Sequence, residues 1–202
     1  MSLPDRIVIA THNAKKAKEM VTILSGTFPT IEFSTLEEFP GAPESEETGE
    51  TYQENAAIKA ESACKFTGLW SLADDAGLEI DALPGELGVH SKRFAGEDTS
   101  FKEKMRLILL WMSGIPTEKR SARFQCTIAL ARPNEKTVFF DATCEGRIAE
   151  KPSGKGGFGY DPIFWLDERD CTMADLTAEQ KHEISHRGKV LREFSKWLSK
   201  QS

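Results

Sequence analysis

No stretch of this chain is long and apolar enough to span a bilayer: the longest runs, Ile7–Ala10 and Leu107–Met112, fall far short of the roughly 20 residues required. Cysteine is scarce, and Cys64, Cys126, Cys144 and Cys171 stand far apart with no Cys-x-x-Cys pair. That pattern excludes a disulfide framework and a cysteine zinc site, and it leaves reduced thiols buried as small hydrophobes. The opening Met1-Ser2-Leu3-Pro4-Asp5 lacks a basic start and an apolar segment, so no secretory signal is expected and a cytoplasmic location is. Neither an internal repeat nor a linker divides the chain, which reads as one domain over 1–202. Basic excess is absent too: 26 Lys+Arg against 32 Asp+Glu leave a net charge of −6. This balance argues against nucleic acid and anionic membranes as partners, and any anionic ligand must be met by local cations.

What is present is a foldable α/β pattern, with 39% hydrophobic and 29% charged residues. Ile7–Ala10 reads as a buried first strand, followed by a helix over about Ala14–Gly26 and a second strand at Ile31–Ser34. Leu36–Gly49, with its prolines, glycines and glutamates, reads as a loop. Thr51 and Glu54 form a capping box that opens a helix running to about Phe66. Trp70–Ala73 is predicted to be a strand ending on Asp74-Asp75. A helix near Ser100–Met112 precedes two longer strands, Ala122–Ala131 and Thr137–Ala149, and a short strand follows at Ile163–Trp165. Thr177 and Gln180 form a second capping box, opening one long final helix. The expected fold is α/β with a mixed sheet flanked by helices.

Two motif matches fail on context. Gly154-Lys155-Gly156-Gly157-Phe158-Gly159 fits Gly-x-Gly-x-x-Gly, but a dinucleotide site needs that run to leave a strand and open a helix, whereas Pro162 and an extended segment follow. His182-Glu183-Ile184-Ser185-His186 fits the zinc protease pattern and would place both histidines on one helix face. A third ligand is missing, and Lys181 and Arg187 crowd the pair with positive charge.

Three charged constellations remain. On a continuous final helix, Lys181 and Arg187 lie on or beside the apolar stripe of Ile184, Leu191, Phe194 and Leu198, with His186 flanking it. Cations facing inward need acidic partners or an anionic ligand. Thr11-His12-Asn13-Ala14-Lys15-Lys16 joins the first strand to the first helix, where free N–H groups and the positive helix end suit phosphate. Finally, no Lys or Arg occurs between Lys18 and Lys59, a stretch that holds Glu46 and Glu47, and Asp74-Asp75 close an apparent strand. Strand-end carboxylates plus a glutamate are hard oxygen ligands of the kind Mg²⁺ takes together with substrate phosphates and water.

Taken in order, these segments resemble the inosine triphosphate pyrophosphatase family, the house-cleaning pyrophosphatases of non-canonical purine nucleotides. The resemblance runs through Thr11-x-Asn13-x-x-Lys16-x-x-Glu19, Glu46-Glu47-Thr48-Gly49, Glu54-Asn55-Ala56-x-x-Lys59-Ala60 and Ala73-Asp74-Asp75-x-Gly77-Leu78. It continues in Ser91-x-Arg93-Phe94-Ala95-Gly96, Gly157-Phe158-Gly159-Tyr160-Asp161-Pro162, and Lys181 with Ile184-Ser185-His186-Arg187. It implies an elongated fold of two lobes with an active-site cleft between them, a homodimer, and Mg²⁺-dependent hydrolysis of ITP, dITP and XTP to the monophosphate and pyrophosphate. Thr11, His12, Asn13 and Lys16 would then cradle phosphates, and Glu46 and Asp75 would bind Mg²⁺, with Asp75 also the general base. Ala76, Phe158, Gly159, Tyr160, Asp161, Lys181, His186 and Arg187 would contact the substrate, all but Ala76 chiefly at its base.

The chemistry is consistent with those roles. Hypoxanthine and xanthine present a 6-oxo acceptor where adenine presents an amino donor, and Lys181, His186 and Arg187 only or mainly donate. Asp74 is expected to point away from Asp75, since successive strand residues face opposite sides. The chain departs from the family pattern at Ala76, where a Ser is usual, and at Leu87, His90 and Lys92. Loss of a hydroxyl at Ala76 motivates an alternative, a non-catalytic purine nucleotide-binding protein.

Overall fold

The computed structural model describes residues 3–201. In chain order the elements are β1 (Arg6–Ile9), α1 (Ala14–Thr27), β2 (Glu32–Thr35), α2 (Tyr52–Thr67), β3 (Trp70–Ile80), α3 (Phe101–Trp111), β4 (Ser121–Ala131), β5 (Val138–Ile148), β6 (Phe164–Leu166), β7 (Cys171–Thr172), α4 (Ala178–Ile184) and α5 (His186–Leu198). The strands are ordered β2-β1-β3-β4-β5-β6-β7. β1 runs parallel to both β2 and β3, as helical crossovers through α1 and α2 require, while β6 is antiparallel to β5 and β7. The sheet is therefore mixed and the class α/β, as the pattern predicts.

The chain divides into two compact units. One comprises Met1–Asp75, Cys126–Ala142 and Arg187–Ser202; the other comprises Ala76–Gln125 and Thr143–His186. In the first unit, α2 turns Ala56, Ala60 and Ala63 onto Val8, Ala10, Ala73 and Ala129 of the strands. Alanines on that face let the helix approach the sheet closely, which brings the polar residues beside them within reach of β3. In the second unit, Leu78, Phe94, Ile108, Phe124, Ile148, Ile163 and Phe164 form the core.

Two sequence expectations are corrected. β3 is an eleven-residue strand and does not end at Asp75, so Asp74-Asp75 lie in mid-strand. Asp75-Ala76-Gly77 has weak strand preference, and what carries the strand through it is its place in the sheet between β1 and β4. The final helix is also broken, because Ser185 is extended at φ −65°, ψ 155° and its N–H closes α4 on the Lys181 carbonyl. Serine competes with its own backbone and tolerates such breaks. As a result Lys181 does not share a stripe with Arg187: one belongs to the second unit and the other to the first. His182 and His186 likewise lie on different helices.

Candidate active site

Asp74 and Asp75 are both buried in β3, and alternation along the strand sends them to different partners. Asp74 Oδ2 accepts from Arg187 Nη2 at 2.8 Å and Nε at 3.1 Å, and pairs with Lys16 Nζ at 3.2 Å. The remaining terminal nitrogen, Nη1, donates to Glu19 Oε2 at 3.0 Å. Lys16 and Glu19 are one turn apart on α1, so that helix supplies one cation and one anion to the cluster. Burial alone would lift the Asp74 carboxyl; Lys16, Arg187 and Lys59 reverse this and hold it well below the usual carboxylate range. The same anions hold the Arg187 guanidinium above its ordinary value despite burial.

Asp75 faces α2. Its Oδ1 accepts from Lys59 Nζ at 3.0 Å, and the same ammonium donates to Glu47 at 2.8 Å. Asn55 Nδ2 donates to Asp75 Oδ2 at 3.4 Å, while Asn55 Oδ1 accepts from the Gly49 N–H at 2.8 Å. Asn55 and Lys59 are spaced i, i+4 and share a helix face, and the Thr51–Glu54 capping box sets where that helix starts. Gly49 is required here by close approach, since a Cβ would come within 2.5 Å of Glu54 Cβ and 2.8 Å of Asn55 Oδ1. Burial is the strongest influence on Asp75 and lifts its carboxyl above the ordinary value, with Glu47 adding to the rise; Lys59 and Lys16 pull back only partly. The three surrounding carboxylates in turn keep the Lys59 ammonium above its ordinary value although burial opposes it.

Neighbouring carboxyls thus have opposed proton affinities, Asp74 below the ordinary carboxylate value and Asp75 above it. Lys59, Asn55, Glu19 and Glu47 complete this arrangement and were not assigned roles from the sequence. The signal that finds them is helical spacing, Asn55 with Lys59 and Lys16 with Glu19. Glu46 is exposed, and it is Glu47 that Lys59 ties to Asp75.

The start of α1 differs from expectation. Asn13 Oδ1 accepts from the N–H groups of Lys15 and Lys16 at 3.1 and 3.2 Å, so two first-turn donors are already capped. Thr11 Oγ1 in turn accepts from the Asn13 N–H at 3.2 Å. The helix end keeps its partial positive charge, and His12 and Asn13 are exposed.

The second unit assembles Phe158, Tyr160, Asp161, Lys181 and His186. Buried Asp161 accepts from Lys181 Nζ at 2.6 Å and from the Phe158 N–H at 2.7 Å. Lys181 Nζ also lies over the Phe158 ring, 4.4 Å from its centroid. Gly157, at φ +66°, admits no side chain: a Cβ would sit 2.0 Å from Asp161 Oδ2. His186 is buried and stacks on Phe124 at 4.7 Å. Tyr160 is buried, with its hydroxyl donating to the Ser91 carbonyl at 2.7 Å. Ala76 is half-buried at the start of this unit.

Magnesium suits the donor set on β3 and its neighbours, which consists of hard carboxylate oxygens. Asp74 Oδ1 is buried and meets no hydrogen-bond donor among the described residues, and Asp75 carries a carboxyl destabilised as an anion. Among the described residues no three His, Cys, Asp or Glu side chains cluster as a ready-made metal cage. Mg²⁺ does not demand one, since it binds through one or two carboxylates with water and substrate phosphates.

The fold and site define an α/β protein whose paired strand carboxylates are set among buried cations, suited to handling a phosphate ester or anhydride. The chain belongs to the Ham1 family, whose sequence profile it matches over residues 7–197. It is 48% identical over 185 residues to the dITP/XTP pyrophosphatase of Geobacillus kaustophilus, covering 92% of this chain and 90% of that one. It is 44% identical over 191 residues to that of Halalkalibacterium halodurans, covering 95% and 97%. Among solved structures, the Staphylococcus aureus Ham1 protein superposes with a TM-score of 0.87 at 38% identity over 98% of this chain and 100% of that one. A HAM1 protein from Coxiella burnetii gives 0.87 at 41% identity, covering 96% and 98%.

Proposed function

We propose that the protein is a nucleoside triphosphate pyrophosphatase that hydrolyses ITP, dITP and XTP to the monophosphate and pyrophosphate, cleansing the nucleotide pool. The observation that carries this reading is the opposed pair on β3. Two adjacent carboxyls whose surroundings push their proton affinities apart divide the work of a site between a fixed charge and an acid or base. The names of the relatives, dITP/XTP pyrophosphatase, support the substrate class.

In this reading water attacks the α-phosphorus, its oxygen forming the new bond while its proton passes to Asp75. The bond from the α-phosphorus to the α–β bridging oxygen breaks, and pyrophosphate departs. A carboxyl raised by burial is better matched to that proton than a free one, and general-base help is worth about 10²–10⁴-fold. Asp75 and Glu46 would hold Mg²⁺, with Glu47 close by through Lys59. When bound, the ion supplies charge neutralisation for the phosphates and the leaving group. Lys16, with Thr11, His12 and Asn13, holds phosphate oxygens, and Arg187 acts by fixing Asp74 instead of reaching the base.

The base end belongs to Phe158, Gly159, Asp161, Lys181 and His186. Asp161 keeps Lys181 charged and aimed, and a 6-oxo group accepts where the adenine amino group would oppose a donor. Assembly as a homodimer and a cytoplasmic location are part of the same proposal; no helix among the described residues is long and apolar enough to cross a membrane.

A nucleotide panel tests the reading. Pyrophosphate is expected from ITP, dITP and XTP with Mg²⁺, and little from ATP, whose amino group meets the donors; GTP is expected to be poor on the family resemblance alone, since guanine shares the 6-oxo group. Equal turnover of all five would remove the selectivity argument, and orthophosphate as the first product would change the reaction class. Tight ITP binding without turnover would favour the non-catalytic alternative that Ala76 raises.

A further inference from the structure

The resemblance assigns Tyr160 to the nucleotide, but its surroundings give it another task. The ring is buried and meets Phe101 edge-on at 5.1 Å, and its hydroxyl donates to the Ser91 carbonyl. The very next carbonyl, that of Lys92, accepts from Lys104 Nζ, and Lys104 is among the most deeply buried large side chains of the protein. Its ammonium lies 5.4 Å from the centroid of the same Phe101 ring. Ser91 is held from a third direction, its Oγ accepting the Leu78 N–H of β3 at 3.2 Å.

Two successive backbone carbonyls each meeting a buried side-chain donor is costly for a loop with no role. An ammonium turned onto a backbone carbonyl is a poor source of stability, and burial lowers its proton affinity more than the nearby Glu97 charge raises it. The Tyr160 end is equally constrained. Ser153 Oγ donates to Asp175 at 3.0 Å and the Gly156 N–H to the Ala174 carbonyl at 2.9 Å, so the glycine loop is pinned on its far side. Tyr160 pins the near side, one residue before Asp161, whose carboxylate holds both Lys181 and the Phe158 N–H.

We propose that Tyr160 and Lys104 are positioning residues: together they clamp the Ser91-Lys92 backbone, and through Asp161 they set where Lys181 presents its charge to the nucleotide base. This rests on the function proposed above for the Asp161–Lys181 pair. Tyr160 discriminates between bases without touching them, and α3 contributes to specificity through its first turn.

Tyr160→Phe keeps the ring and removes only the hydroxyl; Lys104→Met keeps the stem. Each is expected to raise KM for ITP about tenfold, the scale of one hydrogen bond, with kcat within about threefold and the ITP-to-ATP preference reduced. The double variant should lose less than the product of the two, since both act on one segment. Amide exchange at residues 88–96 should quicken in Tyr160→Phe without any nucleotide present. Lower thermal stability with unchanged KM and preference would make the clamp merely structural and overturn the proposal. A fall in kcat at unchanged KM would overturn it, because the loss would then lie in the chemical step and not in how Lys181 is presented to the base, and unchanged exchange at 88–96 would show that no clamp exists. Failure of the wild type on every nucleotide would instead sink the functional reading, which the exchange measurement does not depend on.

Discussion

Arg187 and Asp74, 113 residues apart in sequence, meet through two nitrogens on one carboxylate oxygen, at 2.8 and 3.1 Å, with both side chains buried. The contact joins the first turn of α5 to the middle of β3, one residue from Asp75. With Lys16 and Lys59 it holds the Asp74 carboxyl well below the usual carboxylate range, beside a neighbour that burial lifts above it.

Removing the guanidinium takes two donors from buried Asp74, leaving it Lys16, and one from buried Glu19. Arg187→Met is therefore expected to cost about 3–5 kcal/mol of unfolding free energy, read from urea titration. Arg187→Lys should recover little, because three nitrogens in a fixed fork do the pairing. A loss below about 1 kcal/mol would mean the cluster is not the brace described.

Lys59 is the leading influence opposing the rise of the Asp75 carboxyl. In Lys59→Met that carboxyl must rise further. If Asp75 works as the base it must be deprotonated, so the acid limb of the kcat/KM profile should shift to higher pH. An acid limb that stays in place would dissociate Asp75 from the proton transfer.

Asp75 also links stability to pH and metal. Its folded value lies above the unfolded one, so its contribution is fully present below the ordinary carboxylate range and is lost as pH rises through the raised value. At neutral pH the anion is thus a strain that a cation relieves. Mg²⁺ should raise the thermal midpoint of the wild type, by the equivalent of about 2.7 kcal/mol at a hundredfold excess over its Kd. Asp75→Asn should lose most of that rise together with turnover. An equal rise in the variant would place the metal elsewhere. Asp74 follows the opposite sign: its contribution is present above the ordinary carboxylate range and lost only as pH falls through its depressed value.

Gly157→Ala should separate the base end from the phosphate end. The new methyl meets Asp161 Oδ2 at a backbone angle few side chains adopt, so Lys181 loses its partner. Affinity for ITP is expected to fall at least tenfold, the scale of a broken charged hydrogen bond, while the Mg²⁺-dependent thermal shift stays. Wild-type KM in this variant would show that the Asp161–Lys181 pair is dispensable.

Much of this was legible in the sequence because it is local. Capping boxes at Thr51 and Thr177, the alternation that parts Asp74 from Asp75, and the order of motifs from Thr11 to Arg187 are set by neighbours a few residues away. Helical spacing likewise pairs Asn55 with Lys59. The misreadings lie where distant contacts override local preference. β3 continues through Asp75-Ala76-Gly77 because it is paired in the sheet, with β4 as a neighbour that lies some fifty residues on and is in no window of that segment. The final helix breaks at Ser185, which hands Lys181 to Asp161 and Arg187 to Asp74, two destinations that helical periodicity assigns to one face. Tyr160, which the sequence leaves open between a ligand contact and a core aromatic, has its ring buried and its hydroxyl on the Ser91 carbonyl. By itself, then, the sequence determined most of the elements, the fold class and the set of chemically able residues. Tertiary structure alone decided which charges meet, and so which carboxyl is held low and which is lifted, because proton affinity depends on burial and on partners tens of residues away.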